Sequence, residues 1–456
     1  MSPRDGGAVP APRFAARLLE HPARLLVLAF TGVISIGALL LMLPIATEAR
    51  VAASPLTALF TSTSATCVTG LVLEDTGTYW SGFGQGVILA LIQVGGFGIM
   101  TMTSLLVIVV ARRIGLRQRL VAQAETGAVD IGDVRQILRG VAAFTLVFEV
   151  SATVLLAARF FWVYDESPGR ALYLGVFHAV SAFNNAGFAL FSDSLTGFVS
   201  DPWILVTIIV AFIVGGLGFP VLLELRRSFR RPAAWSVHTK LTLATTAVLA
   251  VGGIVLITVF EWTNPGTLGP MSLADKLWAG AFSGLTPRTV GFNVIDYGVV
   301  NEPSQLVTIV LMFIGGGSAS TAGGIKVTTF ALLGFVILSE LRGEPEVTLF
   351  RRRSSPRTQR RALAVALLAV AAVAIGAMVL VLVTPEPLTV SLFEATSAFG
   401  TVGLSTEPVD VPAPGRLVLI ALMLIGRLGP WTLGAAIVLR RRRRLFRYPE
   451  EGPIIG

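Results

Sequence analysis

Residues 394–406 read EATSAFGTVGLST, about ten residues of moderate hydrophobicity running into a turn at Gly403. Three further versions of this stretch occur: TSATCVTGL at 63–71, HAVSAFNNAGF at 178–188 and TPRTVGFN at 286–293. Their glycines, Gly70, Gly187, Gly291 and Gly403, lie 117, 104 and 112 residues apart. A second landmark follows each turn: Gly95-Gly96, Gly215-Gly216, Gly315-Gly316 and Gly426-Arg427. The gaps between the two landmarks are 25, 28, 24 and 23 residues, so the chain repeats internally.

Around these landmarks lie eight long apolar runs, at 25–46, 87–111, 138–162, 203–225, 239–261, 304–338, 362–383 and 415–439. A helix needs roughly 20 apolar residues to cross a bilayer, and these runs are long enough. The motif-bearing segments are too short to cross, which makes them candidates for re-entrant helices that dip in and return. Composition agrees: of 456 residues, 54% are hydrophobic and 14% charged, with a mean hydropathy of +0.76. The fold class expected is an all-α integral membrane protein of four tandem helix–pore loop–helix repeats, with eight spans and four re-entrant helices around a pseudo-four-fold pore. Repeat boundaries fall at 25–119, 120–231, 232–342 and 343–440, between cytoplasmic tails at 1–24 and 441–456.

The formal charge of +9 invites a nucleic-acid reading, but the basic clusters all abut apolar runs. Arg112-Arg113, Arg226-Arg227, Arg230-Arg231, Arg351–Arg353 and Arg440–Arg444 flank spans on the side away from the motifs. Basic loops stay cytoplasmic, so both termini are expected inside and the short segments dip from outside. Acidic residues gather on the motif side, among them Glu74, Asp75, Asp165, Glu166, Asp193, Asp296, Glu407 and Asp410. Such a face concentrates cations at its mouth. The N-terminal run lacks a small-residue cleavage site and reads as a retained span. Cys67 is the single cysteine, and the three histidines show no metal-ligand spacing.

A cation that sheds water needs a ring of replacement oxygens. Backbone carbonyls supply them without net charge, provided glycine lets the chain turn them inward. With these motifs the chain resembles the Trk/Ktr/HKT superfamily of potassium transporters, most closely its Ktr membrane subunit. Further matches are GGGSASTAGGIKVTT at 315–329, IGRLGPWTL at 425–433 and RYPEEGPIIG at 447–456. The resemblance implies potassium uptake across the cytoplasmic membrane, sodium-stimulated or uncoupled, with K⁺ as cargo and no organic cofactor. It implies ion-ligating strands at Thr66, Cys67, Val68, Thr69 and Gly70; at Asn184, Asn185, Ala186 and Gly187; at Arg288, Thr289, Val290 and Gly291; and at Gly400, Thr401, Val402 and Gly403. Serine at the first filter position of plant relatives is associated with sodium, so Gly70 favours potassium. The third repeat departs from the others, its helix serine Ser283 lying two residues further from the glycine. The resemblance also implies a homodimer and a cytoplasmic nucleotide-binding ring of the RCK type. Segment 118–139 offers an amphipathic docking face, and Pro453–Gly456 a contact within the dimer.

The sixth span is interrupted by Gly315, Gly316, Gly317, Ser318, Ala319, Ser320, Thr321, Ala322, Gly323 and Gly324, too rich in glycine for a rigid helix. It reads as an intramembrane gate, against close packing of small residues as the plainer reading. Arg427 replaces the second landmark glycine in the fourth repeat. An arginine in mid-span costs about 2.5–3.5 kcal/mol on insertion scales and faces the protein interior. It is assigned to the constriction as a barrier, or as a partner for exposed carbonyls. Lys326 is a gate residue or, slightly favoured, a lysine that snorkels to the cytoplasm. Glu149 is either functional or an interhelical hydrogen-bond partner, and His178 packs at its short helix.

Alternatives are a less selective Na⁺/K⁺ channel and, more remotely, an alternating-access carrier or an intramembrane enzyme. A carrier of that kind has two halves around a central site, not four equal quarters. An enzyme needs a nucleophile–base pair or metal cluster that the spans lack.

Overall fold

Serine, in two cases with proline, sets where three of the four short helices begin. Ser54 accepts a hydrogen bond from Thr57 N at 3.1 Å, with Pro55 at the first helical position. Ser167 with Pro168 does the same toward Arg170 N at 3.4 Å, and Ser272 toward Asp275 N at 3.2 Å. Each serine satisfies a first-turn donor, and proline has no N–H to leave unsatisfied.

The computed structural model describes residues 22–112, 134–406 and 411–429. Within them lie fourteen α-helices. A long helix, a shorter one and a further helical segment recur four times. The first set is α1 (Pro22–Leu41), α2 (Pro55–Cys67) and α3 (Gly82–Arg112). The second is α4 (Val134–Val163), α5 (Pro168–Phe183) and α6 (Pro202–Leu217), the last running into α7 (Phe219–Ser228). The third is α8 (Val237–Glu261), α9 (Leu273–Leu285), α10 (Glu302–Phe313) and α11 (Val327–Leu341). The fourth is α12 (Pro356–Val383), α13 (Leu388–Gly400) and α14 (Ala413–Leu428). An antiparallel pair, β1 (Thr348–Leu349) and β2 (Arg352–Arg353), links α11 to α12.

Burial is inverted relative to a water-soluble domain. Long helices expose apolar side chains: Leu146, Val147, Val150 and Val154 on α4, Val248, Val251 and Val255 on α8, Leu367, Val370 and Ile375 on α12. The short helices bury hydroxyls instead, and every residue from Phe60 to Leu71 and from Phe393 to Val402 is buried. Among the described residues three helices are long and apolar enough to cross a membrane, namely Leu138–Val163 within α4, α8 and α12. Helices α6 and α7 qualify together, bent by 100°.

That bend departs from the expected unbroken run at 203–225. Gly218 adopts φ +93°, a conformation strained for any residue with a Cβ, and Pro220 follows in the first turn of α7. Gly-Phe-Pro at 218–220 was the signal. The expected run at 304–338 divides into α10 and α11 around residues 314–326, in line with its glycine content. The second and third short helices start well before their motifs, at Pro168 and Leu273, because their caps lie outside the apolar stretch.

Close approach accounts for the second landmark. A Cβ on Gly95, Gly215 or Gly426 would lie 1.9, 1.9 or 1.7 Å from the carbonyl oxygen of Thr66, Phe183 or Phe399. Those carbonyls belong to residues four before Gly70, Gly187 and Gly403. In the third set Gly315 instead meets Gly323 O, at 1.9 Å, within its own loop. Gly215→Val is therefore expected to destabilise the purified protein by at least the roughly 1–3 kcal/mol typical of overpacking. Gly252→Ala, where nothing lies within 4 Å, should leave it unaffected. Thermal unfolding in detergent checks both.

Candidate functional site

Four turns leave the short helices with the same backbone signature. Val68, Asn185, Thr289 and Thr401 have φ of 56°, 58°, 66° and 51°, and two residues later Gly70, Gly187, Gly291 and Gly403 have φ of 88°, 69°, 87° and 92°. A left-handed conformation costs a residue with a Cβ roughly 1–2 kcal/mol, so strain is held at four equivalent places.

The four turns meet in a closed ring. A Cβ on Gly70 would lie 2.4 Å from Ala186 O, and one on Gly187 2.5 Å from Val290 O. One on Gly291 would lie 2.2 Å from Val402 O, and one on Gly403 2.3 Å from Thr69 O, which returns to the first turn. Each glycine is thus required twice, by its φ and by its neighbour's carbonyl.

Backbone N–H groups of the turns are bound back to their own helices. Thr69 N donates to Ser64 O at 2.8 Å, Ala186 N to Ser181 O at 2.7 Å, and Val402 N to Ser397 O at 2.9 Å. Val290 N donates to Thr286 O at 3.1 Å. Among the described residues no donor reaches the buried carbonyl oxygens of Val68, Thr69, Asn185, Ala186, Thr289, Val290, Thr401 or Val402. Buried carbonyls are almost always paired, so a ring of unpaired ones offers acceptors of the kind a cation can use. The C-terminal ends of α2, α5, α9 and α13 converge on it, each adding partial negative charge.

The expected strands are shorter than the sequence suggested. Thr66 and Cys67 close α2, Asn184 caps α5 in helical geometry, Arg288 sits in the turn after α9, and Gly400 closes α13. From the left-handed residue to the glycine each strand spans three residues: Val68–Gly70, Asn185–Gly187, Thr289–Gly291 and Thr401–Gly403. In the third set Thr286 takes the place expected of Ser283. Its hydroxyl donates to Phe292 O at 2.5 Å, as the Ser181 hydroxyl donates to Phe188 O at 2.8 Å. The turn there is one residue shorter, which the offset of Ser283 only hinted at.

On one side of the ring lies the glycine loop. Gly317 N donates to Gly216 O at 2.8 Å, Thr321 N to Gly215 O at 3.3 Å, and Phe219 N to Ala319 O at 3.3 Å, stitching the loop to the α6–α7 bend. The Thr321 hydroxyl donates to Asn185 Oδ1 at 2.8 Å, on the second strand. A Cβ on Gly323 would lie 2.1 Å from Thr401 Oγ1, on the fourth. Strands two and four are opposite members of the ring, and the loop touches both. Arg427, 5% exposed, donates from Nη1 to Thr321 O and from Nη2 to Gly95 O at 3.0 Å. It thereby clamps the loop to α3. Lys326 does not snorkel: its Nζ turns back to Ala322 O and to Gly323 O at 3.4 Å, because those loop carbonyls offer partners inside the protein.

Three further residues complete the surroundings. Glu149 accepts hydrogen bonds from Gln93 and Asn184, the interhelical arrangement of the two expected. His178 is buried, its Nδ1 2.8 Å from Leu174 O, with Leu190 N donating to Nε2 at 3.3 Å. Glu394 was not anticipated: its Oε1 accepts from Ser405 Oγ at 2.7 Å and Thr406 N at 3.1 Å, fixing the chain after the fourth strand to α13. An acid inside EATSAFGTVGLST was the available signal. Most of segment 118–139, Glu407, Asp410, Arg440–Arg444 and Pro453–Gly456 lie outside the described residues.

Residues 16–443 match the family model described as TrkH, cation transport protein. The chain belongs to the TrkH cation transport protein family. It is similar to the Ktr system potassium uptake protein B of Bacillus subtilis, with 42% identity over 438 residues covering 95% of this chain and 97% of the relative. The potassium/sodium uptake protein NtpJ of Enterococcus hirae is 33% identical over 442 residues, covering 95% and 97%. The crystal structure of the potassium transporter TrkH from Vibrio parahaemolyticus shares its fold, with a TM-score of 0.71 at 18% identity, over 92% of this chain and 84% of that one. As a member of this family with exposed apolar helices, the chain is a multi-pass membrane protein.

Gly403→Asp is expected to lower cation flux at least about tenfold, since the left-handed φ and the facing Thr69 carbonyl each resist a side chain. Flux measured in proteoliposomes at matched protein content checks it.

Proposed function

We propose that this chain is the ion-translocating subunit of a potassium uptake system, with the ring of four turns as its selectivity filter. The observation that carries this reading is the closed ring of unpaired main-chain oxygens. A K⁺ entering it exchanges its water for carbonyls from Thr69, Ala186, Val290 and Val402, assisted by the layer from Val68, Asn185, Thr289 and Thr401. The four sets of helices act as pore-loop repeats: α2, α5, α9 and α13 enter from outside, and both termini stay in the cytoplasm. Because the strands are three residues long, selection against Na⁺ is expected to be looser than in a longer carbonyl filter. A Na⁺/K⁺ pathway is the second reading, favoured by the similarity to a potassium/sodium uptake protein.

Residues Gly315–Gly324 act as the gate. They touch opposite strands, and Arg427 holds them there through Thr321 O. A guanidinium near the axis also opposes a cation directly: two unit charges about 4 Å apart repel by about 4 kcal/mol at an effective dielectric constant near 20. Opening requires the Arg427–Thr321 bond to break and the loop to swing toward the α6–α7 bend. A second copy of the chain and a cytoplasmic nucleotide-binding ring complete the assembly. Similarity to a named member of a Ktr system supports a partner component.

Arg427→Ala is expected to raise flux several-fold, by about 1 kcal/mol or more of barrier lost with the clamp and the charge. Rubidium uptake into proteoliposomes, with potassium and sodium as competitors, is the test. Unchanged flux in the folded variant removes the gate assignment. Loss of competition by potassium removes potassium as the cargo.

A further inference from the structure

The three residues before each filter glycine are treated differently around the ring. At the third position back stand Cys67, Asn184, Arg288 and Gly400. Only strands two and three carry a side chain there that can reach polar partners on other helices. Arg288 Nη1 donates to Thr246 O of α8 at 3.1 Å. Asn184 is bound more extensively, and by an acid.

Glu149 lies on α4 and is 7% exposed. Its Oε1 accepts from Asn184 Nδ2 at 3.0 Å, and its Oε2 from Gln93 Nε2 at 3.2 Å. Gln93 Oε1, on α3, accepts from the same Asn184 Nδ2 at 2.8 Å, and Val180 O, on α5, at 2.9 Å. Two amide hydrogens thus face three acceptors, one from each of three helices, which fixes how the amide points. The other end of the amide rests on Gly96, where a Cβ would lie 1.9 Å from Asn184 Oδ1. The surrounding shell is aromatic: Phe144 and Phe148 on α4 are 4.6 Å apart, and both lie within 6.4 Å of the Phe183 ring.

Asn184 is the hinge at which helix becomes filter. Its backbone is helical, with φ −79° and ψ −1°, and the next residue turns left-handed at φ 58°. The two asparagines have separate duties, Asn184 toward Glu149 and Gln93, Asn185 toward Thr321 of the glycine loop.

We infer that Glu149 is a positioning residue for the second filter strand: by holding Asn184 it sets where the Asn185 and Ala186 carbonyls stand, and so sets the preference among monovalent cations. The inference rests on the filter reading above. A ring closed by neighbour contacts transmits a displaced strand to Gly70 and Val290, the atoms on either side of it. Strand three is tied differently, through Arg288 to Thr246 of α8, so strand two is the strand held through an asparagine by an acid on another helix.

The test uses the full-length protein in proteoliposomes, with rubidium uptake and its inhibition by sodium giving a selectivity ratio. Wild-type uptake is measured first, and a wild type that carries no rubidium would defeat the filter reading before any variant is compared. Glu149→Ala is expected to lower the rubidium-over-sodium ratio by about 10-fold, the scale of loss when an outer partner of an ion site is removed. Glu149→Gln keeps an acceptor for Asn184 and should hold the ratio within about two-fold of wild type. A role in stability alone would lower yield or melting temperature, leave the ratio unmoved, and gain nothing from glutamine. A folded Glu149→Ala protein with the wild-type ratio overturns the inference. If that variant does not fold, Gln93→Ala, which removes a second acceptor from Asn184, decides: a lowered ratio supports the inference and an unchanged one overturns it.

Discussion

The structure depends on main-chain carbonyls deprived of hydrogen-bond donors. Among the described residues eight of them stand in a ring, and seven of the eight N–H groups beside them are bound back toward the short helices. Burying such groups without partners is costly, on the order of 1–3 kcal/mol each, unless something else fills the role of donor. The surrounding fold can be understood as what is needed to hold them there. Serine caps fix where three of the four short helices start, bare glycines on α3, α6 and α14 let those helices press on the short helices' ends, and the apolar outer faces keep the protein in lipid.

The same constraint explains why the four quarters are alike at the ring and unlike beneath it. At the ring any departure from glycine meets a neighbour's carbonyl, so all four strands share one backbone path. Below it the second landmark diverges. Gly95 and Gly215 lie in helices, Gly315 opens a loop, and Gly426 is followed by Arg427. These differences leave four similar turns with one unlike loop beside them, clamped on one side by a guanidinium and stitched on the other to the bend at Gly218. Under the proposed function this asymmetry gives the gate a side from which to be moved.

Much of this was legible in the sequence. Four glycines at near-equal intervals, each followed by a second glycine landmark, were enough to place the ring, the loop at 315–324 and Arg427. What remained hidden was local and geometric. The left-handed residues Val68, Asn185, Thr289 and Thr401 are of three different types, since that conformation is imposed by the ring and not by their side chains. Thr286 replaces a serine through a one-residue deletion that composition does not reveal. Lys326 turned inward because loop carbonyls outcompete the aqueous interface, a contact between residues three and four apart that appears only once the helix is broken. The bend at Gly218 was written in Gly-Phe-Pro but masked by the hydrophobicity of the run containing it.

Thallium resembles potassium in size and charge and scatters anomalously, which makes it a direct reporter of where the cation rests. Crystals of the full-length protein grown with thallium should show an anomalous peak on the ring axis, level with the carbonyls of Thr69, Ala186, Val290 and Val402. A ring that stays empty while thallium binds elsewhere on the protein would contradict the account.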